Sequence, residues 1–396
     1  MKAIVTGMIV TSPVGGVAWD YGQYALGLER LGFEVYYLED TGLPAHSYNP
    51  NTGEYEEDPS YGIQFLQQSL KVLSPSLAKR WHYRAVDGQT YGLDAEAIAD
   101  VAADASLFLN ISGGSLLRDE YQRCPHKVLI DTDPGWNHFA IFPLWDSKPV
   151  EQQAWGWRSH DHFFTYALRL GQPDCPLPTF DINWHFTRPP VVLDCWKPQL
   201  PATQWTTVMT WRNYPQPIVH NGVTYGAKEL EFGRIEAIPK HSSAAFEVTI
   251  NVNGSAPLER WQQLGWSVVD AQATSASANT YRNYIERSRG EFSVAKNIYV
   301  ATHCGWFSCR SVCYLAAKRP VVVQETGFSD YIPTGHGLFS FSNFDEAVAA
   351  IATIEQNYDY HQQAAWKLAH SFDAQKVLSE MLAQIGCYSG EGVGEE

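Results

Sequence analysis

The segment IYVATHCGWFSCRSVCYLAAKRPVVV, residues 298–323, is the part of the chain that constrains the fold most strongly. Its apolar run from Ile298 to Thr302 predicts a short buried strand, and Gly305 permits a tight turn after it. Ser308 is a typical helix N-cap residue, and Pro320 precedes a second apolar run that predicts the next strand. Such a unit directs free backbone N–H groups at the space above the strand ends, where phosphate is the usual ligand.

The same alternation of strands and helices runs along the whole chain, which predicts an α/β protein with parallel sheets. The predicted strands are Lys2–Thr6, Glu34–Leu38, Ser106–Ile111, Lys127–Asp131, His162–Thr165, Thr206–Thr210, Phe246–Val252, Ser267–Val269, Ile298–Thr302 and Val321–Gln324. The predicted helices are Trp19–Leu31, Gly62–Leu73, Ala95–Ala103, Pro257–Leu264, Ala278–Ser288, one that ends at Ile354, Tyr360–His370 and Asp373–Ile385. The stretch from Asp40 to Ser60 is expected to be a long loop.

Chain length indicates two domains. A chain of 396 residues exceeds what one hydrophobic core supports, so two domains of roughly 200 residues each are expected. Four prolines between Pro189 and Pro201 mark the linker, which places the boundary between residues 195 and 196. The tail Ser389–Glu396 is expected to be disordered.

Charge and composition exclude several functional classes. The chain has 28 Lys and Arg residues against 43 Asp and Glu residues, and this acidic balance opposes nucleic-acid binding. No apolar run is long enough to span a membrane, and the N-terminus enters a strand at once, so we expect a cytoplasmic protein. Seven cysteines suit reduced thiols, and the spacing of Cys304, Cys309 and Cys313 does not predict a metal site.

The hexapeptide HCGWFS at 303–308 resembles the HCGWNS core of the donor-binding box of glycosyltransferases that use UDP-sugars, enzymes with the GT-B fold. The resemblance implies two Rossmann-like doubly wound domains that face a central cleft. Residues 1–195 would form the acceptor-side domain and 196–371 the nucleotide-sugar domain, with 372–396 holding a helix that returns to the first domain. Phe307 replaces the Asn of the motif, and Ser311 falls at the position of a ribose-binding Glu.

A comparison with retaining GT-B transferases concerns the stereochemical outcome. Those enzymes place paired acidic residues around this helix, whereas the present chain has Gly305 and Cys313 at the corresponding positions. The absence of the acid pair favours transfer with inversion.

Donor binding requires positive groups near the leaving diphosphate. Arg212 and Lys228 resemble the Arg/Lys pair that GT-B transferases place against it, although both could be solvated surface cations. Arg310 in the first helical turn is unfavourable for the helix dipole unless it serves an anion. The predicted donor-site residues are Gly15, Gly16, Arg212, Lys228, His303, Gly305, Trp306, Phe307, Ser308, Arg310, Gln324, Glu325, Thr326 and Gly327.

Individual roles within this set differ. Backbone groups from Gly305 to Ser308 would hold phosphate with help from His303, and Trp306 or Phe307 would stack on a base or sugar. Gln324, Glu325 and the following Thr326-Gly327 would contact sugar hydroxyls, or would simply form a charged turn. Gly15 and Gly16 would let backbone approach the diphosphate closely.

Acceptor activation requires a base on the opposite wall of the cleft. Asp20 follows the first strand and is the first candidate, although an acid there also suits the helix dipole. Asp133 and His138 follow the strand ending at Asp131 and form the second candidate group, with a simple turn as the alternative. The stretch from Ser112 to Ser115 ends another strand and is expected on the acceptor side.

These features predict a glycosyltransferase that moves a sugar from a nucleotide-diphosphate donor, UDP-linked by resemblance. The acceptor is unidentified and could be a small molecule, a glycan or a lipid-linked glycan. No cofactor beyond the nucleotide-sugar co-substrate is implied. The alternatives are a nucleotide-sugar 2-epimerase on the same fold and a non-catalytic nucleotide-sugar-binding protein.

Overall fold

The computed structural model describes residues 1–44, 47–49, 52, 54–212, 216–251 and 256–387, and the predicted disordered tail lies outside them. The strands are β1 (Lys2–Thr6), β2 (Glu34–Glu39), β3 (Ser47–Asn49), β4 (Glu54–Glu56), β5 (Trp81–Arg84), β6 (Thr90–Gly92), β7 (Ala105–Ile111), β8 (Lys127–Asp131), β9 (His162–Thr165), β10 (Trp184–Phe186), β11 (Gln204–Thr210), β12 (Ile218–His220), β13 (Val223–Tyr225), β14 (Ala245–Asn251), β15 (Trp266–Asp270), β16 (Gly290–Ser293), β17 (Val321–Gln324) and β18 (Leu338–Phe341).

Helices of varied length connect these strands. They are α1 (Gly15–Arg30), α2 (Ser60–Leu73), α3 (Ala95–Asp104), α4 (Pro134–Trp136), α5 (Phe142–Asp146), α6 (Val150–Gln153), α7 (Leu258–Leu264), α8 (Ala271–Ser275), α9 (Ala278–Arg287), α10 (Asn297–Ala301), α11 (Cys309–Ala316), α12 (Phe344–Gln356), α13 (Tyr358–Ala369) and α14 (Ala374–Gln384). A π-helical turn, Asn137–Ile141, joins α4 to α5.

The first sheet has the strand order β10-β9-β8-β7-β1-β2-β5-β6 among the described residues. All neighbours are parallel except β6, which pairs antiparallel with β5. Ala3, Ile4 and Val5 of the central strand are fully buried because helices cover both faces of the sheet.

The second sheet has the order β15-β14-β11-β16-β17-β18, and all its described pairs are parallel. Its strands lie between residues 204 and 341, whereas those of the first sheet lie between residues 2 and 186. The polypeptide after β16 leads through α10 to α11, so the HCGWFS motif lies beyond the carboxyl end of β16.

One predicted strand is wrong. Residues Asn297–Ala301 form helix α10, and the strand that precedes the motif is β16, Gly290–Ser293. Four apolar residues fit a buried helical turn as well as a buried strand, and sequence periodicity does not separate the two. The other predicted strands and helices are confirmed with small differences at their ends, apart from Val252, which lies outside the described residues.

Helix α1 joins the two halves of the chain. Its first residue, Gly15, approaches the backbone of Ser277 so closely that a Cβ atom would lie 2.3 Å from that carbonyl oxygen. At the other end of α1, Gly27 packs against Ala374 and Leu378 of α14. The last helix therefore contacts the N-terminal half of the chain.

Candidate functional site

A cavity of about 840 Å³ lies between the two halves of the molecule. The N-terminal half contributes Asp20 from α1 and Asp133, which follows β8, while the C-terminal half contributes Lys296, Trp306 and Cys309. The ends of several parallel strands open onto this space, which is where α/β sheets usually bind ligands.

The residues of the HCGWFS motif have separate structural roles. The Gly305 amide donates to the Thr326 carbonyl oxygen at 2.7 Å, with φ at +83°. Ser308 Oγ accepts from the Arg310 amide at 3.2 Å and caps α11, as predicted. The Trp306 indole donates to the Thr132 carbonyl oxygen at 3.0 Å and forms a wall of the cavity.

Phe307 and His303 lie away from the large cavity. The ring of Phe307 is buried and packs against Phe328 and Phe372. His303 Nδ1 lies 2.8 Å from Asp174 Oδ2 on the outer side of the junction between the halves. Arg169 also pairs with Asp174, and the two interactions lower the Asp174 pKa to about 2, the hydrogen bond from His303 being the larger cause.

Arg310 is held by an internal carboxylate. Its guanidinium donates to Glu291 Oε1 at 2.6 Å, to Ser293 Oγ at 2.6 Å and to the Val208 carbonyl oxygen at 2.8 Å. Burial opposes its charge, but Glu291 outweighs that cost and raises the pKa of Arg310 above its usual value. The sequence predicted that Arg310 serves an anion, and in this structure that anion is Glu291 on β16.

Lys228 is a second buried basic residue and, unlike Arg310, it has no ion-pair partner among the described residues. Burial, together with the like charges of Arg310 and Lys296, lowers the pKa of Lys228 well below its usual value. No hydrogen bond or ion pair joins its ammonium to another side chain in the described part of the chain. Arg212, its predicted partner, is exposed.

The predicted sugar-contacting residues after β17 are occupied by internal hydrogen bonds. Gln324 donates to Glu231 Oε2 at 2.6 Å and accepts from the Ala295 amide at 3.2 Å. Glu325 Oε1 accepts from the amides of Thr326 at 3.0 Å and Gly327 at 2.6 Å. Burial opposes ionisation of Glu325, yet hydrogen bonds from Ser329, Ser340 and Gly327 lower its pKa.

The predicted glycines beside the first strand serve helix packing. Gly15 contacts the backbone at Ser277, and Gly16 lies against the ring of Tyr281, where a Cβ would be 3.2 Å from a ring carbon. Gly327, at φ +93°, lies against the side chains of Arg169 and His303. These glycines permit close contacts between the two halves.

Asp20 lines the cavity from α1. Burial raises the pKa of its carboxyl to about 6, and a hydrogen bond from the Cys309 thiol offsets part of that rise. A carboxylate with a pKa near 6 is well matched to accepting a proton at neutral pH. The structure thus places the first base candidate opposite the amino end of α11.

Asp133 also lines the cavity, but its carboxylate is already engaged. Lys296 Nζ pairs with Oδ2 at 2.5 Å, and the Tyr299 hydroxyl donates to Oδ1 at 2.6 Å. Both partners come from the C-terminal half, so Asp133 joins the halves across the cavity.

His138 is fully buried and does not line the cavity. Its Nε2 lies 3.1 Å from Asp131 Oδ2 and its Nδ1 lies 2.7 Å from the Pro178 carbonyl oxygen. Thr165 and Asn137 donate to the same aspartate. His138 therefore belongs to a buried network that supports the end of β8, and its position does not favour a role as the base.

Sequence reasoning missed Lys296, Tyr299 and Glu291. Lys296 is the residue before α10, and Tyr299 lies inside the stretch predicted to be a strand. The position of Glu291 could have been recognised from the sequence, because an acidic residue within a buried strand requires a buried cation as partner.

Within the described residues, no group of three or more His, Cys, Asp or Glu side chains is arranged to hold a metal ion.

Comparisons with known proteins concern the fold. No protein-family profile matches the chain. No curated protein sequence matches it either. Among solved structures, HepE of Anabaena, in complex with UDP and glucose, superposes with a TM-score of 0.56 at 10% identity over 98% of this chain and 100% of that chain.

Two further structures superpose less closely. Sucrose-phosphate synthase from Thermosynechococcus elongatus gives a TM-score of 0.48 at 12% identity, covering 93% of this chain and 92% of that chain. TarM gives 0.45 at 11% identity, covering 76% of this chain, which spans 60% of the length of TarM. The HepE superposition covers both sheets. The chain therefore has an α/β fold with two parallel sheets that matches GT-B glycosyltransferase structures.

Proposed function

We propose that this protein is a glycosyltransferase that uses a UDP-linked sugar as donor. The observation that carries the proposal is the buried Lys228 ammonium, which lies near Arg310 and Lys296 and forms no ion pair within the described residues, the neighbouring Glu291 being paired with Arg310. Arg310 is neutralised by Glu291 and Lys296 by Asp133, so Lys228 is the surplus charge. A buried surplus cation is costly unless a ligand anion completes the site.

A donor diphosphate fits this requirement. It would lie beside Lys228 and the amino end of α11, where the helix dipole favours a negative charge. Arg212 would complete the pair of cations on the leaving group, since only charge placed there stabilises the growing negative charge during bond cleavage. The sugar would then face the cavity between the halves.

Asp20 is the proposed base. Its carboxylate accepts the proton of the acceptor hydroxyl as that oxygen bonds to the anomeric carbon and the bond to the diphosphate breaks. A single displacement of this kind inverts the anomeric configuration, in agreement with Gly305 and Cys313 at the positions of the retaining acid pair. Asp133 is the second candidate, although its two carboxylate oxygens already contact Lys296 and Tyr299.

The proposed domain boundary follows the same assignment, with residues 1–195 on the acceptor side and 196–371 on the donor side.

Among the described residues, no helix has the length and apolar character needed to cross a bilayer.

Calorimetric titration with UDP and with uridine tests the donor site. Wild-type protein should bind UDP much more tightly than uridine, and Lys228→Met should weaken UDP binding by about tenfold or more, because charge-assisted hydrogen bonds contribute about 1.5–3 kcal/mol. Arg212→Ala should act in the same direction. Lys240→Met serves as the control because Lys240 is exposed.

Two results would contradict the assignment. Equal UDP affinity in wild type and Lys228→Met would remove Lys228 from the donor site. Absence of binding for UDP, other nucleoside diphosphates and their sugars would remove the proposed function. Release of UDP only when an acceptor is present distinguishes a transferase from a binding protein, and epimer exchange of the donor would identify a 2-epimerase.

A further inference from the structure

The cavity has two chemically different ends. Near α11 it is polar, with Asp20 and Asp133 among its lining residues. A second part of the lining, called here the apolar end, consists of five apolar side chains from neighbouring segments. They are Leu43, Leu116, Leu144, Trp145 and Trp155.

Contacts between these segments define the apolar end. A Cβ on Gly42 would lie 2.6 Å from Leu116 Cδ1, which places the Gly42–Leu43 turn directly on Leu116. The Leu117 amide donates to the Trp155 carbonyl oxygen at 2.9 Å, so Leu116 and Trp155 are neighbours. Trp145 packs on Gly156, where a Cβ would lie 2.8 Å from its Cε3.

The leucine side chains of the apolar end are more exposed to solvent than residues of a hydrophobic core. Leu43 is 63% exposed and Leu144 is 57% exposed, and both line the cavity. Exposed leucines beside two tryptophans form an apolar surface of the kind that marks a ligand-binding site.

Several polar groups at this end have partners within the protein. The Trp155 indole donates to Asp119 at 2.8 Å, and the Thr41 hydroxyl donates to the Leu43 carbonyl oxygen at 3.3 Å. Ser115 Oγ accepts from the Asp40 amide at 3.1 Å, and the Lys148 ammonium lies 3.4 Å from the centre of the Trp145 ring. A saccharide needs many hydrogen-bonding partners when it leaves water, and the side chains that could supply them at this end are those of Lys148 and Gln152.

We infer that the acceptor is a hydroxyl-bearing apolar molecule whose body occupies the apolar end of this cavity while its hydroxyl reaches the polar end. The inference rests on the proposed function, since it identifies the acceptor of that reaction. A volume of about 840 Å³ is in the usual range for pockets that enclose a drug-sized ligand. The apolar body supplies binding free energy, and the polar end positions the reacting oxygen.

The test is calorimetric titration of the whole protein, without nucleotide, with 2-naphthol, 1-octanol and cellotriose. The first two should bind and cellotriose should not, and their binding should show a negative heat-capacity change, which is the signature of apolar burial. In the double variant Leu43→Gln/Leu144→Gln their affinity should fall about tenfold, because two leucines no longer offer apolar surface.

Leu200→Gln is the matched control. Leu200 is 93% exposed and lies in the segment before β11, outside the cavity lining, so its replacement should leave the affinity unchanged. A preference for 2-naphthol would identify a planar aromatic acceptor and a preference for 1-octanol an aliphatic one. Either preference supports the inference.

Three results would overturn it: cellotriose binding more tightly than both alcohols, equal affinity in the double variant, or no binding of either alcohol by a protein that binds UDP. Binding of 2-naphthol with the expected loss in the double variant, by a protein that binds no nucleotide, would remove the proposed function and leave the apolar cavity as a binding site.

Discussion

At the scale of single residues, two buried cations have opposite electrostatic situations. Arg310 is stabilised by Glu291, whereas Lys228 is destabilised by its burial and by neighbouring positive charge. A buried charge that lowers the folding stability is typical of a binding site, because a ligand of opposite charge then supplies the counter-ion. This contrast makes Lys228 a sharper probe of the donor site than Arg310.

The first prediction concerns the stability of Lys228→Met without ligand. The pKa of Lys228 is lower in the folded protein than in the unfolded chain, so the unfolded chain binds more protons between the two values, and wild-type stability rises with pH there. Replacement by Met removes the buried charge. The variant should therefore be more stable than wild type, with a larger difference at about pH 6 than at about pH 10.

Denaturant unfolding of both proteins at several pH values measures this difference. Lys240→Met should follow the wild-type curve. A variant less stable than wild type at about pH 6 would mean that Lys228 has a compensating partner.

The second prediction concerns Asp20. A base must be ionised, and the Asp20 pKa of about 6 means that kcat/KM should fall roughly tenfold per pH unit below about pH 6. Asp20→Asn should lose about 100-fold or more in turnover and should lose this acidic limb, while UDP affinity stays near wild type. Asp133→Asn is the comparison variant, and loss of turnover in that variant alone would transfer the role to Asp133.

At the scale of secondary-structure elements, helix contacts decide the shape of the cleft. The amino end of α1 meets α9 at a distance that only glycine allows, and α10 brings Lys296 and Tyr299 to Asp133. Helix α11 is capped by Ser308, so its amino end is fixed toward the proposed donor site.

The third prediction concerns Gly15→Ala. The new methyl group would lie 2.3 Å from the Ser277 carbonyl oxygen, a backbone atom that cannot rotate away. We expect a loss of about 1–3 kcal/mol in unfolding free energy, together with weaker UDP binding as α1 and α9 move apart. Thermal and denaturant unfolding measure the loss. Gly233→Ala is the control, because a Cβ there meets nothing within 4 Å.

At the scale of the whole molecule, the relative placement of the halves sets which motif residues reach the cavity. His303 belongs to the HCGWFS motif but faces Asp174 across the junction, where Arg169 also bridges to Asp330. Trp306, three residues later, faces the cavity instead.

The fourth prediction follows from this placement. His303→Ala should change UDP affinity less than about threefold and stability by at most about 1 kcal/mol, since exposed ion pairs contribute little. Asp174→Asn should behave in the same way. A tenfold loss of UDP affinity in His303→Ala alone would place the imidazole on the phosphate and require a different arrangement of the halves with donor bound.

The fold class, nine strands of the two large sheets and the cap at Ser308 follow from the sequence alone, because each depends on local patterns of apolar residues, glycine and hydroxyl side chains. It also indicated Asp20 and Lys228, through their positions after β1 and β11. It mistook α10 for a strand, since a run of four apolar residues fits either structure once it is buried.

Which charges are already neutralised depends on the tertiary structure. Glu291 lies 19 residues before Arg310, and Asp133 lies 163 residues before Lys296, so no local pattern links either pair. Burial of Asp20 and Lys228 likewise depends on how the halves pack. The electrostatic character of a site is set by distances between atoms that the chain order does not reveal, because Coulomb energy and desolvation act through space.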